Sequence, residues 1–238
     1  MTQGTHPLAA SMINQLNRVD TISNNLANAN TVGFKQDNLA EGSFNSYLDR
    51  SEKSKDDISR ESYIMNTVPK IDSDFINSKL GSIAPTGNNL DFALSKADTY
   101  FKVELENGDV QLTRNGEFKI LDGFLVNHNG SKVLNNAGNA IVANGDIGSQ
   151  ISIVSANFKD ISKVGNNNYK IDNQNNIEDI ENNRDFLIQG SIEKSNTDSI
   201  NSMVSLIEAQ RRFEQAQKAI TGIDDINKKV IESIGNGR

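Results

Sequence analysis

The sequence predicts an α+β protein whose N- and C-terminal helices pack together as a coiled-coil-like unit, with an antiparallel β-rich domain inserted between them. Three observations predict it. Apolar residues recur at helical spacing at both ends of the chain, short runs in the middle alternate with a period of two, and Asn-Gly or Asp-Gly pairs punctuate that middle every seven or eight residues.

The first helix is read from Leu8, Met12, Leu16, Val19, Ile22 and Leu26, spaced by four, four, three, three and four. Arg18 and Asp20 are the only ionised side chains between Pro7 and Phe34, so the helix has little face suited to water. Gly33 is expected to cap it in the left-handed conformation, with Phe34 folding back on the last turn. Asn24, Asn25 and Asn28 weaken those last turns by up to ~2 kcal/mol. Either they satisfy groups in a packed contact, or the helix end frays into a loop.

Residues 36–81 are polar and read as an irregular arm with a short strand at Ser62 to Val68. From Tyr100 to Leu134 the pairs Asn107-Gly108, Asn115-Gly116, Asp122-Gly123 and Asn129-Gly130 predict the turns of an antiparallel meander. Weaker β signals follow at Ile151 to Val154 and Tyr169 to Ile171. After Gly190 a stripe returns through Ile200, Met203, Val204, Ile207, Phe213, Ala216, Ile220, Ile223, Ile226, Val230 and Ile234. At 1.5 Å per residue this gives a helix of about 57 Å, longer than a domain of this size needs for itself. The expected divisions are 1–35, a helical segment; 36–84, a connecting arm; 85–189, the β-rich domain; and 190–238, the second helical segment.

Composition limits the chemistry. Net charge is -7 with no basic block, which disfavours nucleic acid as a partner. The absence of cysteine removes thiol chemistry, and no run of ~18 apolar residues predicts a membrane span. The beginning of the sequence shows no basic and apolar leader, so any export is expected to use a route without signal cleavage. His6 and His128 lack acidic neighbours at metal-ligand spacing, and no nucleophile elbow, phosphate loop or dinucleotide fingerprint occurs. The pairs Asp56-Asp57, Asp72-Asp74 and Asp224-Asp225 read as solvated loop and helix charge. No catalytic residue, metal or cofactor is expected.

The run Ile22-Ser23-Asn24-Asn25-Leu26-Ala27-Asn28-Ala29-Asn30-Thr31-Val32-Gly33-Phe34-Lys35 resembles the N-terminal signature of the flagellar rod, hook and hook-associated axial proteins. Pro85 to Ala93 followed by Leu112 to Phe118 is similar to that family's central strand-and-hairpin pattern. Gly190 to Asn196 with Leu206 to Glu214 is similar to its C-terminal signature. The chain departs from the pattern at Ser95 to Phe101, where a Gly-x-Gly-Phe-Phe turn is usual. Its length and the run Arg211-Arg212-Phe213-Glu214-Gln215-Ala216-Gln217-Lys218 resemble proximal-rod members more than distal-rod members.

The resemblance implies a non-enzymatic structural subunit of the basal-body rod. It implies export through the flagellar type III apparatus, a periplasmic position, and assembly with like and unlike rod subunits and other hook-basal-body components. It also implies that both helical segments form an inner tube. The expected assembly interface comprises Leu16, Val19, Ile22, Asn25, Leu26, Asn28, Gly33 and Phe34 at one end and Ile207, Arg211, Phe213 and Ile220 at the other. Two other classes stay open from the residues: a cap or scaffold that does not polymerise, and a wall-glycan hydrolase with a carboxylate pair in the β domain.

Overall fold

The computed structural model describes residues 5–42, 70–172, 176–180 and 183–235. Helix α1 is Thr5–Ala27 and helix α2 is Ser199–Gly235, about 34 and 56 Å long at 1.5 Å per residue. Between them lie two long-range strand ladders, an arm ladder and a nine-stranded sheet. The chain divides into two compact units: residues 1–26, 37–75 and 198–238 form one, and residues 27–36 and 76–197 the other.

In the arm, β1 (Asp37–Gly42) pairs with β2 (Lys70–Ile76), so the polar arm carries regular structure that its composition did not announce. The strand expected at Ser62 to Val68 lies outside the described residues. Next come β3 (Ile83–Pro85) and β4 (Phe92–Leu94), joined by a loop that Thr86, Asn88 and Asp91 stitch together. The Thr86 hydroxyl donates to Asp91 at 2.6 Å and the Asn88 amide donates to it at 3.0 Å. The Thr-Gly-Asn stretch is thus a turn between strands.

The meander follows as β5 (Thr99–Glu104), β6 (Val110–Thr113), β7 (Lys119–Leu121), β8 (Phe124–Val126) and β9 (Lys132–Val133). It continues through β10 (Ile153–Ser155), β11 (Ile161–Gly165), β12 (Asn168–Ile171) and β13 (Glu178–Ile180). The order across the sheet is β11-β12-β6-β5-β9-β8-β7, and β10 joins β5 to β13. Central strand β5 therefore pairs with β6 along one side and with β10 and β9 along the other. Its alternation fills two cores. Phe101 and Val103 enter one with Phe92, Phe118 and Ile153; Tyr100 enters the other with Leu112, Val154 and Tyr169.

Three of the four expected turns are hairpin turns. Gly108, Gly123 and Gly130 have φ of 83°, 82° and 84°, and Asp122 joins Gly123 in the left-handed region. Asn115-Gly116 is different: it links β6 to β7, which do not pair, and Gly116 has no positive φ. A Cβ on Gly116 would stand 1.7 Å from the Phe92 carbonyl oxygen, so the glycine permits close backbone approach. Asn-Gly marks either need, and the sequence does not distinguish them.

Finally β14 (Leu187–Gln189) pairs with β4, and β15 (Ser191–Glu193) pairs with β3. These ladders bring the start and end of the β unit together.

Helix α1 stops at Ala27, short of the expected cap at Gly33. The Asn28 carbonyl accepts from Thr31 N–H at 3.1 Å and its side chain accepts from the Thr31 hydroxyl at 3.2 Å. Such side-chain competition is what makes asparagine a poor helix interior and a good turn former. Gly33 is left-handed, with φ 69°, but its N–H bonds Glu193 O at 2.7 Å and no helix carbonyl.

Candidate functional site

Gly33, Phe34 and Lys35 end a nearly uncharged stretch, yet Lys35 is wholly buried, at 0% exposure. A lone buried ammonium would be very costly, so it needs an anion and full hydrogen bonding. Glu193, 1% exposed, supplies the anion at 2.7 Å, and Lys79 O accepts a second bond at 2.7 Å. The same carboxylate takes Arg114 Nε at 2.7 Å on its other oxygen, with Arg114 Nη2 2.6 Å away in ion-pair contact. Gly81 N–H also donates to Glu193, at 2.8 Å.

Arg114 is 1% exposed and directs Nη1 at the carbonyls of Lys96, Ala97 and Thr99, at 2.8, 2.7 and 2.6 Å. This is the segment where the sequence departs from the axial-protein pattern. Its hydrogen bonds to Arg114 all come from main-chain carbonyls, and of its side chains Tyr100 adds a ring face 5.8 Å from the guanidinium carbon. Two cations share one anion, and burial pulls the Lys35 ammonium below its ordinary range of 10.5, helped by the Arg114 guanidinium and opposed by Glu193. Burial also pushes the Tyr100 phenol upward, so it stays neutral.

Neighbouring groups seat the same strap. Lys163 Nζ donates to Lys35 O at 2.6 Å and lies 4.3 Å from the centre of the Phe34 ring, a cation–π distance. Asn167 Nδ2 donates to Val32 O at 2.8 Å. A Cβ on Gly33 would come within 2.5 Å of the Arg114 backbone, so Arg114 and Gly33 require each other's geometry.

The expected interface residues fall into four settings. Gly33 and Phe34 are buried in the β unit's own interior. Asn25, 2% exposed, places its amide against Asp37, donating to the Asp37 carbonyl at 2.7 Å and accepting from its N–H at 2.9 Å. Val19, Ile22, Leu26 and Asn28 are half-buried, as are Phe213 and Ile220, while Leu16, Ile207 and Arg211 are exposed.

Helix α2 carries two apolar stripes where the sequence reading had one. Ser202, Ala209 and Ala216 are buried, and Leu206, Phe213, Ile220 and Ile223 alternate with them at spacings of four and three. That is the seam of a heptad. Ile200, Met203, Val204 and Ile207 form the other stripe and are 76%, 51%, 52% and 49% exposed. On α1 the half-buried positions Leu8, Met12, Gln15, Val19, Ile22 and Leu26 keep the same alternation, and Ile13 and Leu16 stand outside it, exposed. A free helix seldom leaves so much aliphatic surface in water.

Among the described residues no group of His, Cys, Asp or Glu is placed to hold a metal ion, and no helix is long and apolar enough to cross a membrane.

Successive parts of the chain match three family descriptions: "Flagella basal body rod protein" over residues 9–35, "Flagellar hook protein FlgE/F/G D1 domain" over 96–200, and "Flagellar basal body rod FlgEFG protein C-terminal" over 188–233. The chain belongs to the flagellar basal-body rod and hook family. Within this flagellar family it is 29% identical to the basal-body rod protein FlgF of Rhizobium meliloti (strain 1021) over all of both chains. It is 28% identical to the hook-basal body complex protein FlhP of Bacillus subtilis (strain 168), covering 90% of this chain and 93% of that one. It is also 28% identical to the rod protein FlgG of Bacillus subtilis (strain 168), covering 93% and 95%.

The rod-family matches coincide with the buried cluster of Lys35, Arg114 and Glu193. Lys35 closes the first matched segment, Arg114 lies in the second, and Glu193 lies where the second and third overlap. Sequence reasoning quoted all three residues inside its signatures and assigned none of them a role. Glu193 is 158 residues from Lys35 and 79 from Arg114, separations at which spacing carries no information.

Proposed function

We propose that the chain is a structural subunit of the bacterial flagellar rod, polymerising through α1 and α2 to carry torque between motor and hook. The observation that carries this is the second apolar stripe: Ile200, Met203, Val204 and Ile207 on α2, with Ile13 and Leu16 on α1, stand exposed beside heptad seams. Burying each such side chain on assembly contributes ~1.5–3 kcal/mol, enough for a few of them to drive association. In this reading the seams pair α1 with α2 as a coiled-coil-like inner domain whose helices come from the segments 1–35 and 190–238, with residues 27–35 and 190–197 of those segments belonging to the β unit. The segment 36–84 is a connecting arm, and 85–189 is an outer β-rich domain.

Leu16, Ile207 and Arg211, which are exposed, then serve assembly directly, while Val19, Ile22, Leu26, Phe213 and Ile220 serve it through the seam that pairs the helices, with Asn25 and Asn28 shaping the end of α1. Gly33 and Phe34 contribute by seating the chain in the β unit. The full-length alignment with FlgF and the Arg211 to Lys218 run favour a proximal position over a distal one. The subunit acts without catalysis or a cofactor, after export with no cleaved signal, and works in the periplasm. Its partners are like and unlike rod subunits, other hook-basal-body components and, in transit, the export apparatus.

Sedimentation velocity and electron microscopy over a concentration series test this. Elongated polymers are expected from the wild type, and monomers from Leu16→Asp or Ile207→Asp with β circular dichroism unchanged. A wild-type chain that stays monomeric or closes into a small ring overturns polymerisation in favour of a cap or scaffold.

A further inference from the structure

The chain passes between its two units four times: between Leu26 and Ala27, Gln36 and Asp37, Phe75 and Ile76, and Thr197 and Asp198. Inside the β unit, the last three crossings are tied to one another within two residues of where they leave. Asn77 N–H donates to Gln36 O at 2.8 Å. Gln36 N–H donates to the Asn196 side-chain oxygen at 2.8 Å, and Asn196 Nδ2 donates back to Asn77 O at 2.9 Å. One residue from each crossing thus bonds both of the others, a closed triangle with Asn196 supplying two of its sides.

A second tier lies just beneath. Asn196 Nδ2 also reaches Lys79 O at 2.9 Å, which Lys35 Nζ shares at 2.7 Å. Glu193 ties Lys35, Arg114 and Gly81 N–H, while its own carbonyl holds Gly33, six residues from the first crossing at Ala27. The buried charges are held in low dielectric, where breaking one pair strands the others.

We propose that Asn196 and Glu193 form a load-bearing node, which binds the crossings so that force arriving along any one of them is shared before it reaches the β sheet. The proposal rests on the reading of this chain as a torque-carrying subunit and names the residues that bear the load. Bonds that bridge neighbouring crossings are stretched together, whereas the sheet's ladders would open one rung after another if a single crossing were pulled free. The node therefore protects the sheet by geometry.

The natural chain has no cysteine, so Asn17→Cys and Lys218→Cys provide unique handles for optical-tweezers pulling on the full-length protein. Wild type is expected to yield in one high-force step. Asn196→Ala, which cuts two sides of the triangle, and Glu193→Gln, which strands two buried cations, are each expected to yield earlier, unfolding under load on the order of a hundredfold faster. Asn196→Ala should do so with core amide protection in β5 and β6 unchanged, and it decides the matter if Glu193→Gln fails to fold. Rupture of Asn196→Ala at the wild-type force overturns the node. The concentration series on chains without handles is separate: weakened variants beside a wild type that never polymerises would keep the node and remove the rod reading.

Discussion

Glu193 is the residue on which the largest single-site effects should fall. Glu193→Gln leaves Lys35 and Arg114 buried at 0% and 1% exposure without a counter-charge, and should destabilise the β unit by about 3–5 kcal/mol in urea denaturation. Lys35→Met should cost distinctly less, because Glu193 keeps Arg114 and the aliphatic stem is replaced in kind. A loss for Lys35→Met equal to that of Glu193→Gln would contradict the shared-anion arrangement. Linkage gives a second test at this scale. The folded Lys35 titrates below its ordinary 10.5, so in that window the unfolded chain holds the extra proton and wild-type stability rises with pH. Measured against Lys35→Met, which cancels the other titrating groups, wild type should gain as pH rises toward 10.5 and show a constant difference below the lowered value. None of this pairing was legible in the sequence. A charged residue inside a signature is visible, but its partner, 158 residues from Lys35 and 79 from Arg114, is set by the closing of β3 on β15.

At the scale of elements, period and turn chemistry carried most of the prediction. Both helices, the meander and the hairpins at Gly108, Gly123 and Gly130 follow from spacing and from residues that tolerate positive φ. The misses have local causes. Helix α1 ends six residues before Gly33 because Asn28 offers Thr31 both a carbonyl and a side chain, and propensity alone does not locate that turn. Strand β1 is polar, and β2 sets Ile71, Phe75 and Ile76 among charged and polar residues without a sustained alternation, so neither gave a clear signal. Asn25 pairs with the backbone of Asp37 as a strand would, and Asn25→Ala should leave α1 helical while amide exchange at Asp37 accelerates. Gly33→Ala combines a φ of 69° with a 2.5 Å contact to Arg114 backbone, and should cost about 1–3 kcal/mol or more, read as a lower urea midpoint. At the start of α2, Asp198 accepts from Ile200 and Asn201 N–H at 3.0 and 3.1 Å, and Asp198→Ala should lower helix stability by ~1 kcal/mol, seen as faster exchange confined to the first turn.

For the whole molecule, the two units should differ in how much they depend on assembly. In the purified monomer, amides of Leu8 to Leu26 and Ile200 to Ile234 should exchange faster than those of Tyr100 to Leu134, whose strands enclose two aromatic-rich cores. Equal protection throughout would mean that the helical unit is complete without partners. The sequence foretold the division into terminal helices and a β insert, since each part has its own period. It did not foretell that one helix would carry two apolar stripes, because a projection of α2 shows apolar positions without showing which of them the chain covers.

The pairing of β3 with β15 and of β4 with β14 has a consequence for how such chains diversify. It gives the insert a narrow neck at which its beginning and end stand side by side. A module held at one neck can lengthen, shrink or be exchanged for another, with the terminal helices left in register, provided that the graft preserves the strap at Gly33 to Gln36, the matching stretch at Glu193 to Asn196 and Arg114, which packs on both.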